Sequence, residues 1–314
     1  MDYELAIIGA GPAGFSAAIY AVRSGIKTIV FDKSIGGGLA AISPKIENYA
    51  GFESISGMDL VEKMKKHVSN YTKVHYNEEV KNISKKNDEF IIETIKQKYL
   101  VKAVLISTGT EYRKLNAPGE TKLSGKGVSY CATCDGFFFK EKKVAVVGGG
   151  NSALIESIYL KQIGCREVYV IHRRDQLRAE KSYEKEAKEK KVKFLLNKTV
   201  EKINGKDKVE SITLKDTKNN ENTTLDIDGV FISIGEIPQN DLAKKIGINL
   251  DEKGFIKIDK DGRTNVKGVY AAGDITGGLR QVITAASEGA VAALSSTEAV
   301  GKKYPYWYFS IFFF

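Results

Sequence analysis

Two cysteines three positions apart, Cys131 and Cys134, are the residues of this chain best suited to redox chemistry. A C-x-x-C pair can be a redox-active dithiol, half of a zinc site, a structural disulfide or two buried thiols. A zinc site needs two further ligands, and the chain offers only Cys165 and three scattered histidines. A structural disulfide is not kept in a reducing compartment. We therefore predict a functional dithiol and no metal.

The first of two glycine-rich segments that flank this pair is Gly9-Ala-Gly11-Pro-Ala-Gly14, which follows the apolar run Leu5-Ala-Ile-Ile8. A helical pattern comes next, so the glycines are predicted at a strand-to-helix turn. Such a turn binds a pyrophosphate, because its glycines permit a tight bend, a close backbone approach and close helix packing. Asp32, eighteen residues after Gly14, ends the next predicted strand. A carboxylate there favours an adenosine ribose without a 2′-phosphate.

The second glycine-rich segment, Gly148-Gly-Gly150-Asn-Ser-Ala153, follows the apolar run Val144-Ala-Val-Val147 and precedes another helical pattern. Here the next strand ends in His172-Arg-Arg174, with Arg178 one helical turn beyond. Guanidinium groups at this position favour a ribose 2′-phosphate, which an acid would repel. The segment predicts an NADPH site, and an ordinary exposed basic loop is the alternative interpretation.

The length of 314 residues and the hydrophobic fraction of 42% predict about two globular domains. The formal net charge of +9 comes from lysines spread along predicted helix faces, and no nucleic-acid-binding motif is present. The acidic start of the chain does not resemble a signal peptide, and no apolar stretch has the length of a membrane span. We expect a cytoplasmic protein that binds neither nucleic acid nor a membrane.

The chain repeats one nucleotide-binding unit, because Ala103-Val-Leu-Ile-Ser-Thr-Gly109 parallels Gly229-Val-Phe-Ile-Ser-Ile-Gly235. The later segment Gly268-Val-Tyr-Ala-Ala-Gly-Asp274 is predicted to return to the first unit. The predicted fold class is α/β, with two Rossmann-like nucleotide-binding domains of which the second is inserted into the first. Residues 1–114 and 245–314 form the first domain, and residues 115–244, which carry the dithiol, form the second.

In this order, the two glycine motifs, Cys131-Ala-Thr-Cys-Asp135, the arginines, Ala272-Gly-Asp274 and Arg280-Gln281 resemble the low-molecular-weight thioredoxin reductases over nearly the whole chain. The resemblance implies bound FAD, NADPH as electron donor, a homodimer, and thioredoxin or a thioredoxin-like protein as partner. It implies that Cys134 faces the flavin and that Cys131 attacks the partner's disulfide. Asp135 is expected to be the acid or base of the exchange, and a helix N-cap is its alternative role.

The motifs and the resemblance together give the expected cofactor residues. The FAD site comprises Gly9, Gly11, Pro12, Ala13, Gly14, Asp32, Lys33, Gly37, Gly38, Leu39, Asn48, Thr108, Gly109, Gly273, Asp274, Arg280, Gln281 and Val282. The NADPH site comprises Gly148, Gly150, Asn151, Ser152, His172, Arg173, Arg174 and Arg178. Hinge strands are expected near 111–118 and 240–248, because in this family one domain rotates against the other.

The chain departs from the family pattern at two places. Gly38 stands where many relatives carry glutamine, so a side-chain hydrogen bond to the cofactor would be missing. The aromatic tail 304–314 has no recognised family counterpart, and burial at a subunit interface is the leading prediction for it. An appended or frayed end and a contact with a partner or a membrane are the alternatives.

Three other functions remain open from the residues alone: a dithiol oxidase, a reductase fed by another donor, and a non-catalytic flavin redox sensor. Gly148, Gly150 and the three arginines favour an NADPH-dependent enzyme, because a chain that did not use this donor would have no need of them.

Overall fold

The computed structural model describes residues 3–43 and 45–304. The aromatic tail predicted to lie at a subunit interface falls outside the described residues, apart from Tyr304. The chain forms two compact units: the first holds the chain up to Glu111 and again from Ile237, and the second is Tyr112–Glu236. We call these the first unit and the second unit.

The first unit is built on a sheet of five parallel strands whose three central members are buried on both faces. Their short apolar runs are typical of parallel strands covered by helices on both sides. In spatial order the strands are β18 (Val269–Ala271), β7 (Ala103–Ile106), β1 (Leu5–Ile8), β2 (Thr28–Phe31) and β3 (Val74–His75). This unit also contains an antiparallel sheet of β4 (Val80–Lys86), β5 (Glu89–Thr94) and β6 (Lys98–Val101).

Four α-helices belong to the first unit: α1 (Pro12–Arg23), α2 (Gly57–Ser69), α6 (Asp241–Lys245) and α7 (Val282–Ser295). Helix α1 begins with Pro12, whose missing N–H and preset φ suit a first helical turn. Helices α1 and α7 pack so closely that a Cβ at Gly289 would lie 2.1 Å from the carbonyl oxygen of Ala13. Helix α6 packs Ala243 into the core of this unit, which accounts for a boundary at 236/237, before the predicted one at 244/245.

The second unit repeats the plan with a five-stranded parallel sheet, and the predicted α/β class is confirmed. In spatial order its strands are β12 (Lys193–Leu196), β11 (Glu167–His172), β10 (Lys143–Val147), β16 (Gly229–Ile232) and β9 (Val128–Ser129). Its helices are α3 (Ala132–Asp135), α4 (Asn151–Gln162) and α5 (Lys181–Glu189). Its antiparallel sheet consists of β13 (Lys198–Asn204), β14 (Ser211–Asp216) and β15 (Asn222–Asp226).

The chain passes between the units through β8 (Thr110–Tyr112) and β17 (Glu236–Pro238), which pair with each other. Short 3₁₀ helices occupy Gly38–Ile42, Gly136–Phe139 and Asp274–Thr276. Within residues 3–43 and 45–304, no helix has the length and hydrophobicity needed to cross a membrane. The same residues contain no cluster of three or more histidine, cysteine or acidic side chains that could hold a metal ion.

Candidate active site

Four neighbouring parallel strands of the first unit end beside residues predicted to bind FAD. Gly9 follows β1, Asp32 follows β2, Thr108 lies two residues after β7, and Gly273 lies two residues after β18. Because these strands are parallel and adjacent, their carboxyl ends share one edge of the sheet. Ligands of open α/β sheets bind at this edge. The fold therefore brings together the predicted flavin residues from four separate segments.

The turn after β1 has three glycines with different surroundings. Gly9 has φ +106°, and a Cβ there would lie 2.2 Å from the carbonyl oxygen of Ser107. A Cβ on Gly14 would lie 1.9 Å from the carbonyl oxygen of Gly9. Gly11 instead faces open space, with no heavy atom within 4 Å of its Cβ position. With Pro12 and Ala13 opening α1, this geometry leaves an uncovered backbone and a helix N-terminus, which fit a pyrophosphate.

The Asp32 carboxylate is oriented by three hydrogen bonds. Oδ2 accepts from the Ala10 N–H at 2.8 Å, and Oδ1 accepts from the N–H and the hydroxyl of Ser34, each at 2.8 Å. An ionised carboxylate has further lone pairs available for a ribose diol. Lys33, the neighbouring predicted residue, donates instead to Glu111 at 2.9 Å and Gln239 at 3.3 Å.

The segment after β2 contacts the glycine turn after β1. The Gly37 N–H donates to the Ala10 carbonyl at 2.7 Å, and Gly37 and Gly38 have φ +100° and +56°. The nearest atom to a Cβ on Gly38 would be the Gly11 Cα at 3.9 Å, so a side chain has room there. Leu39 continues the 3₁₀ helix that begins at Gly38. The left-handed backbone conformation at Gly38, with φ +56°, favours glycine, whereas the space around it would allow a side chain.

The segment after β18 is held by a carboxylate from α7. The Gly273 N–H donates to Glu288 Oε2 at 2.8 Å, and the Thr276 hydroxyl donates to the Gly273 carbonyl at 2.9 Å. Asp274 begins the 3₁₀ helix that follows. These bonds fix the backbone on which the predicted Asp274 contact to FAD depends.

Helix α7 begins beside the remaining predicted flavin residues. Gln281 is its N-cap and Val282 its first residue, and Arg280, directly before them, is exposed. Asn48 donates its side-chain amide to Gln281 Oε1 at 2.9 Å, and so it joins this group from a distant segment. Thr108 donates its hydroxyl to the Gln239 carbonyl at 2.7 Å, and Gly109 has φ +67°. The uncovered glycine turn, the oriented carboxylate and this helix start together fit FAD.

The second unit repeats the glycine turn between β10 and α4. A Cβ on Gly148 would lie 2.4 Å from the Ser233 carbonyl oxygen, whereas Gly150 has no heavy atom within 4 Å of its Cβ position. Asn151 and Ser152 open α4. The Asn151 side chain exchanges two hydrogen bonds with Glu180, at 2.7 and 2.9 Å. The turn leaves the same kind of uncovered backbone as its counterpart in the first unit.

The last residue of β11, His172, and the arginines that follow it form a basic group beside this turn. His172 is 6% exposed, and its Nε2 atom has no hydrogen-bond partner among the described residues. Burial, together with the nearby Arg178, lowers the pKa of the imidazole, so the neutral form is favoured. Arg173, Arg174 and Arg178 are exposed, and none forms a salt bridge with the described part of the chain. Three exposed guanidinium groups beside an open glycine turn fit a phosphorylated ribose.

The two cysteines form a disulfide with an S–S distance of 2.09 Å. They follow β9, so they lie at the carboxyl edge of the same sheet that carries the second glycine turn. Cys131 is itself the N-cap of α3, and its Sγ accepts from the Cys134 N–H at 3.2 Å. Cys165 is a free thiol, 2% exposed, and burial raises its pKa to about 11. Such an environment is typical of an inert, structural cysteine.

Asp135 ends α3 and is the N-cap residue of the 3₁₀ helix that follows, but its side chain makes no capping bond there. Its Oδ2 accepts from the Ser129 hydroxyl at 2.6 Å. Its Oδ1 is buried and has no hydrogen-bond partner in the described segments. Burial raises the pKa of this carboxyl, and the Ser129 bond opposes that rise only in part. Such a group can hold a proton that an exposed aspartate would lose.

Sequence reasoning missed four residues that support the site: Ser107, Ser129, Gly149 and Glu288. The Ser107 hydroxyl donates to the Gly9 carbonyl at 2.8 Å. A Cβ on Gly149 would lie 2.2 Å from His172 Nδ1, so only glycine lets that ring occupy its place. Gly149 lay inside the glycine motif and could have been found there. Ser107 lay inside the repeated segment Ala103–Gly109, but its contact with Gly9 was not predicted. The contacts of Ser129 and Glu288 depend on a two-residue strand or join segments distant in sequence, and no motif marked them.

Known proteins resemble this chain along almost all of its length. A family model for pyridine nucleotide-disulphide oxidoreductases matches residues 3–289. A thioredoxin reductase of Bacillus subtilis is 42% identical over 296 residues, which are 93% of each chain. A thioredoxin reductase of Treponema pallidum is 43% identical over 295 residues, 93% of this chain and 95% of that one.

Solved structures give the same result. The thioredoxin reductase of Streptococcus pyogenes aligns with a TM-score of 0.91 at 38% identity, covering 95% of this chain and 98% of the other. The resemblance predicted from the motifs is confirmed, and the chain belongs to the pyridine nucleotide-disulphide oxidoreductase family, among the low-molecular-weight thioredoxin reductases.

Proposed function

We propose that this protein is a thioredoxin-disulfide reductase, which passes electrons from NADPH through FAD and the Cys131–Cys134 disulfide to a disulfide on thioredoxin or a thioredoxin-like protein. The observation that carries the proposal is the disulfide itself, formed at the carboxyl edge of the second unit's sheet. A chain of this family with a closed dithiol beside a nucleotide turn has both the donor site and the electron acceptor for such a relay.

FAD, when bound, accepts a hydride from NADPH and passes two electrons to a disulfide. The first unit would hold it through the uncovered backbone at Gly11, the Asp32 carboxylate at the adenosine ribose, and the segments that begin at Gly273 and Gln281. The second unit would hold NADPH through Gly150 and the guanidinium groups of Arg173, Arg174 and Arg178.

The dithiol would carry the electrons to the partner. We assign Cys131 as the thiol that attacks the partner's disulfide and Cys134 as the thiol that faces the flavin. Only the thiolate form attacks, so a neighbouring group must take up and return protons during exchange. Asp135 suits this task, because its buried Oδ1 has no partner in the part of the chain that the structure describes.

The same proposal includes the roles of the two units, the oligomeric state and the location of the protein. The two units would correspond to an FAD-binding domain and an NADPH-binding domain inserted into it. The protein would act as a homodimer in the cytoplasm, with no nucleic acid or membrane as partner. Size-exclusion chromatography with light scattering tests the dimer.

An anaerobic titration of the flavin-loaded protein tests the relay. NADPH and, separately, NADH are added while flavin absorbance is followed, and oxidised thioredoxin is then supplied. We expect bleaching by NADPH at a lower concentration than by NADH, and recovery of the absorbance with thioredoxin in the native protein but not in Cys131→Ser.

Bleaching by dithionite alone would contradict NADPH as donor and favour a reductase fed by another donor or a dithiol oxidase. Bleaching by NADPH without turnover on any disulfide would favour a redox sensor.

A further inference from the structure

The Ser129 hydroxyl lies at the centre of the dithiol segment. It accepts from the Cys131 N–H at 3.1 Å and donates to Asp135 Oδ2 at 2.6 Å. The Cys131 carbonyl, at 3.3 Å, is a second and longer acceptor for the same hydroxyl. Ser129 is 4% exposed and ends β9, where its backbone pairs with Phe231 of β16. The hydroxyl is therefore fixed by the sheet and excluded from water.

The two oxygens of the Asp135 carboxyl differ in their surroundings. Oδ2 is held by Ser129, whereas Oδ1 is buried without a hydrogen-bond partner among residues 3–43 and 45–304. A buried polar atom without a partner costs free energy, so its presence next to a redox dithiol requires an explanation. An oxygen that receives and releases a proton during exchange must be left without a permanent partner.

The charged groups on neighbouring elements have other partners. On α4, which packs against α3, Glu156 accepts from the Ser233 hydroxyl at 3.1 Å. On the same helix, Lys161 donates to the carbonyls of Cys165 and Arg166. Glu120 is 2% exposed and accepts from the Tyr130 hydroxyl at 2.7 Å. Neither the 3₁₀ helix Gly136–Phe139 nor β9 contains a charged residue.

We propose that Ser129 is a positioning residue for proton transfer by Asp135: its hydroxyl holds Oδ2 and leaves Oδ1 as the oxygen that gives up the proton. This inference rests on the proposed function, which makes Asp135 the acid of the exchange. In the exchange, the Cys131 thiolate forms a bond to one partner sulfur and the partner's S–S bond breaks. The departing sulfur takes the proton from Oδ1, and the resulting carboxylate still accepts from Ser129 at Oδ2. Solvent returns the proton before the next turnover.

The hydrogen bond from Ser129 also affects the pH range in which Asp135 can donate a proton. A hydroxyl that donates to a carboxylate stabilises the ionised form, so it opposes the rise in pKa that burial causes. Loss of this hydrogen bond should therefore raise the pKa of Asp135 further. The rate of a step that needs protonated Asp135 falls as the pH rises through that pKa. In Ser129→Ala this fall should occur at a higher pH.

The test uses the full-length, flavin-loaded protein with its dithiol reduced by dithiothreitol and then freed of reductant. Its reaction with hydroxyethyl disulfide, whose alkyl leaving sulfur needs a proton, is followed from pH 5 to 9. Its reaction with an aromatic disulfide, which leaves as a stable thiolate, is the matched control. We expect Ser129→Ala to shift the profile for the alkyl disulfide and leave the aromatic one unchanged, and Ser129→Thr to restore the native profile.

The Asp135→Asn background separates positioning from simple structural support. If Ser129 acts through Asp135, adding Ser129→Ala to Asp135→Asn changes nothing further in the alkyl reaction. An equal shift in both backgrounds, or an equal effect on the two disulfides, would mean that Ser129 only supports the Cys131 backbone, and the inference would be wrong. The exchange needs neither NADPH nor thioredoxin, so failure of the proposed electron donor or partner would not affect this result.

Discussion

The two units share one plan but use the loop after the outer strand for different chemistry. In the first unit β18 lies beside β7, and Gly273 and Asp274 follow it. In the second unit β9 lies beside β16, and the dithiol and Asp135 follow it. In both, the loop reaches the carboxyl edge of a parallel sheet, where ligands bind. The same place in a repeated fold thus holds the loop predicted to contact FAD in one unit and the Cys131–Cys134 disulfide in the other.

The strand that follows the glycine turn and its helix in each unit, β2 in the first and β11 in the second, shows a second difference. After β2 the first unit has Asp32, whose oxygens are held by Ala10 and Ser34. In the second unit β11 ends with a buried histidine, His172, and exposed arginines follow it. A carboxylate repels a 2′-phosphate, and guanidinium groups bind one. The comparison predicts that the two turns differ in selectivity through the residues at the end of the next strand, β2 or β11, rather than through their glycines.

Gly9→Ala in the first unit should have the largest effect. Its φ of +106° and a Cβ 2.2 Å from the Ser107 carbonyl oxygen would force the turn apart, at a cost of about 3 kcal/mol or more. We expect the purified protein to retain less than about a tenth of its FAD, measured as flavin absorbance per chain after gel filtration.

Gly25→Ala is the matched control for this variant, since Gly25 has φ +78° but open space around its Cβ. It should keep its flavin. Gly148→Ala in the second unit should also keep FAD while binding NADPH less tightly, and loss of FAD from that variant would contradict the assignment of the two turns.

The double substitution Arg173→Ala and Arg174→Ala should remove the preference for NADPH. Loss of charge-assisted hydrogen bonds to a phosphate of about 1.5–3 kcal/mol corresponds to a rise of about 10- to 100-fold in KM for NADPH. The KM for NADH should hardly change, because NADH lacks that phosphate. Steady-state kinetics with both donors measures the ratio.

Arg166→Ala, another exposed arginine of the second unit, controls for the loss of positive charge. Similar losses with NADPH and NADH in the double variant would show that these arginines do not read the 2′-phosphate.

Glu288→Ala should weaken FAD binding by a smaller factor. It removes the acceptor of the Gly273 N–H, which the structure places at 2.8 Å from Oε2. Freeing this loop should cost about 1–2 kcal/mol, or about a tenfold higher Kd for FAD. Reconstitution of the apoprotein, followed by flavin fluorescence, measures it. Ser287→Ala, one residue away and exposed, should bind FAD normally, and equal behaviour of the two variants would refute a role for Glu288.

Glu78 should give the first unit a pH dependence of its own. Its side chain is 1% exposed. Burial alone would raise its pKa, but hydrogen bonds from Lys96, Thr94 and His75 outweigh burial and lower the pKa to about 2. Because the folded pKa is below the unfolded one, the stabilisation is complete above about pH 4.5 and is lost as the pH falls towards 2.

Glu78→Gln should therefore lower the free energy of unfolding by about 1–3 kcal/mol at pH 7 and by less at pH 3. Urea unfolding at both pH values measures the difference. Glu79→Gln, which breaks an exposed pair with Lys81, should cost less than about 1 kcal/mol. A Glu78→Gln cost independent of pH would contradict an ionised carboxylate at this site.

Local sequence patterns predicted the elements of this protein that form within one short segment of the chain. The two glycine turns, the strands beside them and the α/β class were predictable, because a buried apolar run followed by glycines and a helical pattern has few other structures. The family could be recognised because its motifs occur in a fixed order. The roles of the individual flavin and NADPH residues remain predictions that the variants above address.

Contacts between distant segments could not be predicted in this way. Strand β9 has two residues, too few for any periodicity, and it acquires its place only by pairing with β16. The second domain was predicted to extend to residue 244, with a hinge strand near 240–248, but Asp241–Lys245 form helix α6, whose Ala243 packs in the core of the first unit. Burial of an apolar side chain depends on which surface is available, and a sequence pattern does not specify that surface.

The sequence by itself determined which chemical groups this protein offers. They are a cysteine pair, two glycine turns of the kind that binds a pyrophosphate, an aspartate after β2 and arginines after β11. Residue type and local spacing suffice for these, because each is formed within one short segment. Only the tertiary structure decided which other side chains hold these functional groups in place. It placed Ser129 against Asp135, Glu288 against Gly273 and Ser107 against Gly9, since the parallel strands gather loops from distant segments at one edge of each sheet.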